Sequence, residues 1–393
     1  MKLELHILQN FAPSNLNRDD TGSPKYCEFG GYRRARISSQ CIKRAIRRDF
    51  GQQGLVPPDQ LALRSKRFVD RIGEELAAHT GQPLELAKGV VEAALATLNF
   101  TLAGGGEKTE YLLYFGQQEI ERIREFAQQH WDRLVVSAVA GQQKDKQAKG
   151  GKKDTKDEET KLLANELKKH LDGGRAADLA LFGRMLADLP ERNIDAAAQV
   201  AHAISTHEVT TQFDYYTAVD DLKPEETEGA DMIGTVEFNS ACYYRYANVD
   251  LDQLRSNLKN DWELAVNTVA AFVQASIEAI PTGKQNSFAA HNPPALIVAL
   301  LRRRGSWSLA NAFLKPVRPG RDGDLVCASA RALDEHWKEL VDLYGDPAEQ
   351  RFVTGLASVR AYVPTLGDDR AWQPSCTELK ERVREAVQAA YGG

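Results

Sequence analysis

The chain has 393 residues, 42% of them hydrophobic, and a formal net charge of −5. That length suits one large domain with insertions, or several ordinary ones, around a sizeable core. The sequence lacks a run of about 18 apolar residues, the length needed to cross a bilayer, and its opening, MKLELHILQN, carries no charged-then-apolar leader. A cytoplasmic protein with no membrane partner is therefore expected.

Residues 3–8 (LELHIL) alternate apolar and polar, the pattern of a half-buried strand. A loop rich in Asn, Asp, Pro and Gly is expected from about Gln9 to Arg36. Ser38 and Ser39 then offer N-cap hydroxyls, and Ile42, Ala45, Ile46 and Phe50 fall on one face of a helix over 39–50, with Gly51 to stop it. Residues 59–135 read as mostly helical. Residues 141–160 hold six Lys, five acidic residues, three Gly and only Ala148 as an apolar residue, which predicts a disordered loop. Strands are expected over 198–209, 235–247 and 295–301, with a long helix over 262–280 between the last two. A further helix (328–344) and a strand near 352–363 complete the chain.

This order, with insertions at 51–197 and 210–234, is the β-α-β-β-α-β pattern of a ferredoxin-like or RRM-like core, an α+β fold. The palm is expected from 1–50 and 198–393.

Charge is distributed unevenly. Arg33, Arg34, Arg36, Lys43, Arg44, Arg47 and Arg48 lie between Tyr32 and Arg48 with no acidic residue among them. Between Ser205 and Asn239 there are nine acidic residues against Lys223 alone. One basic groove and one acidic face are expected. In FGGYRRARISSQCIKRAIRR (29–48), Gly30 and Gly31 would let the backbone approach a ligand, the helix start offers free N–H groups, and the cations repeat along the helix. Several cations at such spacing suit successive phosphates better than one small anion. The ordinary alternative is a solvated basic face.

Other motifs carry less. In LAGGGEKTE (102–110), Glu107 stands where a P-loop needs Gly, so a flexible loop is expected. Asp19 and Asp20 in NRDD could hold a metal for phosphodiester cleavage, but a turn is the better reading. Cys27, Cys41, Cys242, Cys327 and Cys376 form no C-x-x-C pair. The eight histidines form no H-E-x-x-H motif, there is no G-x-S-x-G, and the RRM aromatic signature is absent. No catalytic residue, metal or cofactor is expected.

Several blocks resemble the CasC family, the crRNA-binding backbone subunit of the subtype I-E CRISPR Cascade complex. They are LNRDDTGSPKYCEFGGYRRARISSQCIKRAIR (16–47), FGRM (182–185), AHAISTHEV (201–209), DYYTAVDDL (214–222), EFNSACYYRYANV (237–249), GKQNSFAAHNP (283–293) and SLANAF (308–313). The resemblance implies a hand-like fold: a ferredoxin-like palm, a large helical fingers insertion and a β-hairpin thumb. It also implies a non-enzymatic subunit that oligomerises along crRNA and presents its bases to target DNA. The implied partners are crRNA, target DNA by way of it, other copies of the chain, and the large PAM-reading, small, 5′-handle and crRNA-processing subunits. Guide-backbone contacts would fall on Arg18, Lys25, Ser38, Gln40, Lys43, Arg44, Arg47 and Lys284. Met185 would pack on bases, and Tyr215, Tyr216 and Thr217 would form the thumb tip. One alternative is a metal-dependent endoribonuclease using a loop aspartate. Another is a phosphate-binding enzyme built on the glycine-rich basic loop.

Overall fold

The computed structural model describes residues 1–100, 102–103, 108–144, 155–218, 232–320 and 324–392. They form two compact units. The first comprises Met1–Leu55, Ala198–Asp252 and Val266–Gly393; the second comprises Val56–Ala197 and Gln253–Ala265.

In chain order, the first unit begins with β1 (Lys2–Ser14), β2 (Tyr26–Phe29), β3 (Tyr32–Ile37) and α1 (Ser39–Gln52). The second unit contributes β4 (Ala62–Ser65), α2 (Phe68–Thr80), α3 (Leu84–Thr97), β5 (Leu102–Ala103), β6 (Lys108–Thr109), β7 (Leu113–Gly116), α4 (Gln117–Gln129), α5 (Trp131–Lys144), α6 (Thr155–Lys169) and α7 (Ala177–Phe182). The chain then forms β8 (Ala198–Val200), β9 (Ala203–Ser205), β10 (Gln212–Ala218), β11 (Met232–Asp250), α8 (Leu251–Asn257) and α9 (Trp262–Glu278). It ends with α10 (Gln285–Phe288), β12 (Leu296–Arg302), α11 (Leu325–Tyr344), β13 (Gln350–Gly355), α12 (Ala357–Arg360) and α13 (Cys376–Gly392).

The main sheet runs β13-β12-β1-β11-β9-β3-β2, and β8 and β10 also pair with β11. Its centre, β12-β1-β11-β9, is antiparallel throughout and has the strand order of a ferredoxin-like core. The fold is α+β, as the alternation of strand and helix patterns predicts. The sequence does not reveal the hairpin β2–β3, which lies inside the expected 9–36 loop.

The β1 strand is not half-buried. Leu5 and Ile7 share a small cavity with Ile42 and Ile46 of α1. On the opposite face Leu8, Tyr244, Val298, Leu300, Leu333 and Trp337 form one apolar cluster. Glu4 and His6 of that face are fully buried, because the C-terminal part of the chain covers them. Their polar atoms are largely matched. The Glu4 carboxylate accepts from the Tyr246 hydroxyl (2.5 Å), Arg302 Nη1 (3.0 Å) and the Trp307 N–H (2.8 Å). His6 Nδ1 lies 2.9 Å from the Tyr244 hydroxyl, and burial, reinforced by Arg302, pushes its pKa down to about 3.

The second unit packs α2, α3, α4, α5 and α6 around Ile72, Val91, Leu95, Phe115, Ile123 and Leu167. It is less uniformly helical than expected. Ala62–Ser65 and Leu113–Gly116 pair as a two-stranded ribbon, and β5 pairs with β6 within the expected 102–110 loop. Residues 141–144 and 155–160 are helical rather than disordered, because Lys, Glu and Gln extend a helix readily once packing has begun it. The rest of that expected loop, 145–154, lies outside the described residues.

Removing one partner of a buried ion pair strands the other. Glu4→Ala should therefore cost about 3–5 kcal/mol in unfolding free energy. Denaturant titration checks this, and a loss below about 1 kcal/mol, the scale of an exposed pair, would show that the Arg302 charge is satisfied elsewhere.

Candidate nucleic-acid interface

The surface is built on α1. The Ser38 side chain accepts from the Cys41 N–H at its start, and Ile42, Ile46 and Phe50 are buried along one side. The helix runs through Gly51 to Gln52 instead of stopping there. Spacing alone places Lys43, Arg44, Arg47 and Arg48 together, away from the apolar stripe, but the structure separates them. Arg44 and Arg48 are exposed, whereas Lys43 and Arg47 flank the stripe and are half-buried. Burial lowers the Lys43 pKa.

The loop after β1 is fastened to this helix. The Asn17 side-chain carbonyl accepts from the Ser38 N–H at 2.8 Å, and the Asn17 backbone carbonyl accepts from the Lys25 N–H at 2.9 Å. The Lys25 carbonyl in turn accepts from Arg36 N–H at 2.9 Å. A side chain at Gly283 would collide with the Leu16 carbonyl, so glycine lets the 281–284 segment close onto the loop and brings Lys284 to it. A groove of about 360 Å³ results, lined by Arg18, Arg44, Arg48, Asp19, Asp49 and Thr282 among others. Arg18, Arg44 and Lys284 were predicted from sequence; Arg48 lines the same groove and was missed as a site residue, although its spacing four residues from Arg44 signalled it. Lys25, Ser38 and exposed Gln40 cluster at the helix start, where Gln40 Oε1 accepts from the Ser39 hydroxyl at 3.3 Å.

The aspartates of NRDD behave as a turn. Asp19 Oδ1 accepts from the Thr21 hydroxyl (2.7 Å), the Thr21 N–H (3.0 Å) and the Ser23 N–H (3.0 Å). These bonds, the Thr21 hydroxyl first, hold the carboxyl below the usual carboxylate range. Among the described residues, no His, Cys, Asp and Glu cluster of three or more could hold a metal ion.

The glycine pair has a role within the fold itself. Gly30 and Gly31, with φ of 64° and 82°, make the two-residue turn joining β2 to β3. A Cβ on Gly30 would strike the Leu314 carbonyl. Arg34 is likewise structural: it is fully buried, and its guanidinium donates to the carbonyls of Ser205, Phe313 and Leu314. Arg33 lies over the exposed Tyr26 ring at 4.0 Å.

Met185 belongs to the second unit and is 82% exposed. Its neighbour fixes it. Arg184 Nη1 donates to both oxygens of Glu119 (2.9 and 2.7 Å), each side chain fully buried, and Glu119 also accepts from the N–H groups of Gly116 and Gly173. An exposed apolar side chain is thus presented from a rigid support.

Tyr215, Tyr216 and Thr217, expected at the thumb tip, fall in the last part of β10. They lie within β10, paired with Thr235, Gly234 and Ile233 of β11, and the segment beyond the hairpin strands, 219–231, lies outside the described residues. Side chains alternate along a strand, so Tyr215 shares a face with exposed Phe213. Tyr216 lies on the other face, its ring covering Gly234. The two tyrosines cannot hold the same base between them.

Sequence reasoning also missed His202. Its Nδ1 sits 3.2 Å from Arg36 Nη1 and 3.4 Å from the Ser39 nitrogen at the start of α1. Only its place in the AHAISTHEV block signalled it. His207 of the same block does structural work, with Nε2 accepting from the Cys242 N–H and Nδ1 donating to the Glu208 carbonyl.

A comparison with curated proteins gave no match. Among solved structures, the chain is similar to one described as "CRISPR RNA-guided surveillance complex, pre-nicking", with a TM-score of 0.80 and 28% identity over 98% of this chain and 100% of that one. It is also similar to a chain of a "CRISPR RNA-guided surveillance complex", with a TM-score of 0.69 and 25% identity over 98% of this chain and 100% of that one. The family model described as CT1975-like protein matches residues 3–381, and the chain belongs to that family.

Proposed function

We propose that this chain binds guide RNA along its phosphate backbone, as a repeating subunit of a CRISPR surveillance complex of the type I-E Cascade kind, and that it is not an enzyme. The observation that carries the reading is a cluster of cations held in no ion pair, which outnumber the two carboxylates, Asp19 and Asp49, that line the groove with them. Among the described residues, Arg18, Lys25, Arg44, Arg48 and Lys284 form no ion pair. Arg18, Arg44 and Arg48 line one groove, Lys284 directly follows Gly283 of its lining, and Lys25 is tied through Asn17 to the helix start. A soluble protein ordinarily pairs or disperses such charge, whereas a strand of phosphates neutralises it in register. The likeness to chains of RNA-guided complexes over nearly the whole length points the same way.

The partners follow from this reading: guide RNA, target DNA through its base pairing with the guide, further copies of the chain, and the other subunits of the complex. Contacts to phosphates carry no sequence information, so the pairing itself would read the target. The nuclease alternative has less support, because Asp19 Oδ1 is committed to its own turn by three hydrogen bonds.

Arg44 and Arg48 are exposed, so Arg44→Ala with Arg48→Ala should change stability by no more than about 0.5 kcal/mol. Affinity for unrelated single-stranded RNAs should fall alike, and the slope of log affinity against log salt should flatten by about 0.7 for each phosphate no longer neutralised. Fluorescence anisotropy over a salt series measures both; wild-type affinity with an unchanged slope would mean that the face is only solvated. Lys43→Ala with Arg47→Ala should lose affinity and some stability together, since both side chains are half-buried.

For catalysis, RNA incubated with the protein and magnesium or manganese should stay intact for hours. Cleavage that disappears in Asp19→Asn with Asp20→Asn would establish the nuclease reading instead.

A further inference from the structure

Arg36 and His202 meet at the start of α1, beside the cations of the groove. The Arg36 guanidinium is held by two neutral acceptors. Its Nε donates to the Tyr26 carbonyl at 3.3 Å, and Nη1 donates to His202 Nδ1 at 3.2 Å. A guanidinium has donors only and stays charged, so His202 must present a lone pair at Nδ1 and carry its proton on Nε2. The Ser39 N–H converges on the same lone pair at 3.4 Å. Burial, then the charges of Arg36 and Lys25, lower the His202 pKa, which agrees with a neutral ring.

This arrangement spends rotamer entropy to fix the direction of a cation without neutralising it. Among the described residues, Arg36 forms no ion pair and its Nη2 makes no hydrogen bond. Lys25 lies close enough to act on the same histidine, so positive charge accumulates at a point where nothing in the fold requires it. The buried arginines are enclosed by acceptors, Arg184 and Arg302 by the carboxylates of Glu119 and Glu4 and Arg34 by three carbonyls, whereas Arg36 is only half-buried and leaves Nη2 open. Oriented donors with an uncompensated charge match an incoming phosphate oxygen.

We infer that Arg36 is a further phosphate-contacting residue of the RNA surface and that His202 is the residue that positions it. The inference rests on the RNA-binding reading above. His202 acts through its acceptor and not through charge, which sets it apart from the surrounding cations.

The test uses the full chain and a fluorescein-labelled single-stranded RNA of mixed sequence. Arg36→Gln keeps a donor amide but removes the charge. It should weaken binding roughly tenfold, the scale of one charge-assisted hydrogen bond, and flatten the salt slope by about 0.7. His202→Ala should weaken binding in the same way. His202→Asn should restore it, because the asparagine Oδ1 hangs from Cγ as Nδ1 does. In the Arg36→Gln background, His202→Ala should add nothing further, which a residue that merely supports the fold would not show. Equal losses from His202→Ala in both backgrounds would overturn the positioning role. Wild-type affinity and slope in Arg36→Gln, with binding lost in Arg44→Ala plus Arg48→Ala, would overturn the inference and leave the RNA-binding reading intact. Wild-type binding in all of these variants would overturn both.

Discussion

Asn17 holds the loop after β1 against the start of α1. Its side chain and backbone carbonyls accept from Ser38 and Lys25. Nearby, Asn15 Nδ2 donates to the carbonyls of Gly22 and Glu237 at 3.0 and 2.9 Å, tying the same loop to β11. Loops of this length are ordinarily mobile. These amides instead give Arg18, Lys25 and the helix start fixed relative positions. A polyanion then meets cations already arranged, and less ordering entropy is lost on binding.

The same logic explains how an acidic protein can present a basic surface. The net charge is −5, and long-range attraction to RNA is correspondingly weak. What matters is the local field within about a Debye length, roughly 8–10 Å at physiological salt. There the cations of α1 and the 15–25 loop outnumber Asp19 and Asp49, the carboxylates that line the groove beside them. Arg34 shows that the basic run has two roles. Its charge sits among backbone carbonyls and joins the hairpin to the segment around Phe313, so it supports the surface from behind.

Much of the palm is legible in the sequence, because strand and helix periodicities are local and their order specifies a ferredoxin-like core. The start of α1 is legible for the same reason: the Ser38 cap and the Ile42, Ile46 and Phe50 spacing act within one segment. What sequence reading misses is set by distant contacts. Glu4 and His6 look solvent-facing until the C-terminal part of the chain covers them. The sequence around Gly30 does not show that this glycine makes room for the Leu314 backbone. Nothing near Arg34 predicts that its acceptors lie far along the chain at Ser205 and Phe313. Tyr215 and Tyr216 read as one aromatic pair until their strand register places them on opposite faces.

The central claim is that RNA lies along the start of α1 and the loop that Asn17 fastens to it. Ultraviolet crosslinking of bound single-stranded RNA to the purified chain, followed by mass spectrometry of the crosslinked peptides, tests it most directly. Crosslinks should concentrate in peptides covering 17–48 and 281–288, and should diminish as salt is raised. Crosslinks confined to other parts of the chain, or an absence of crosslinks at low salt, would contradict the account.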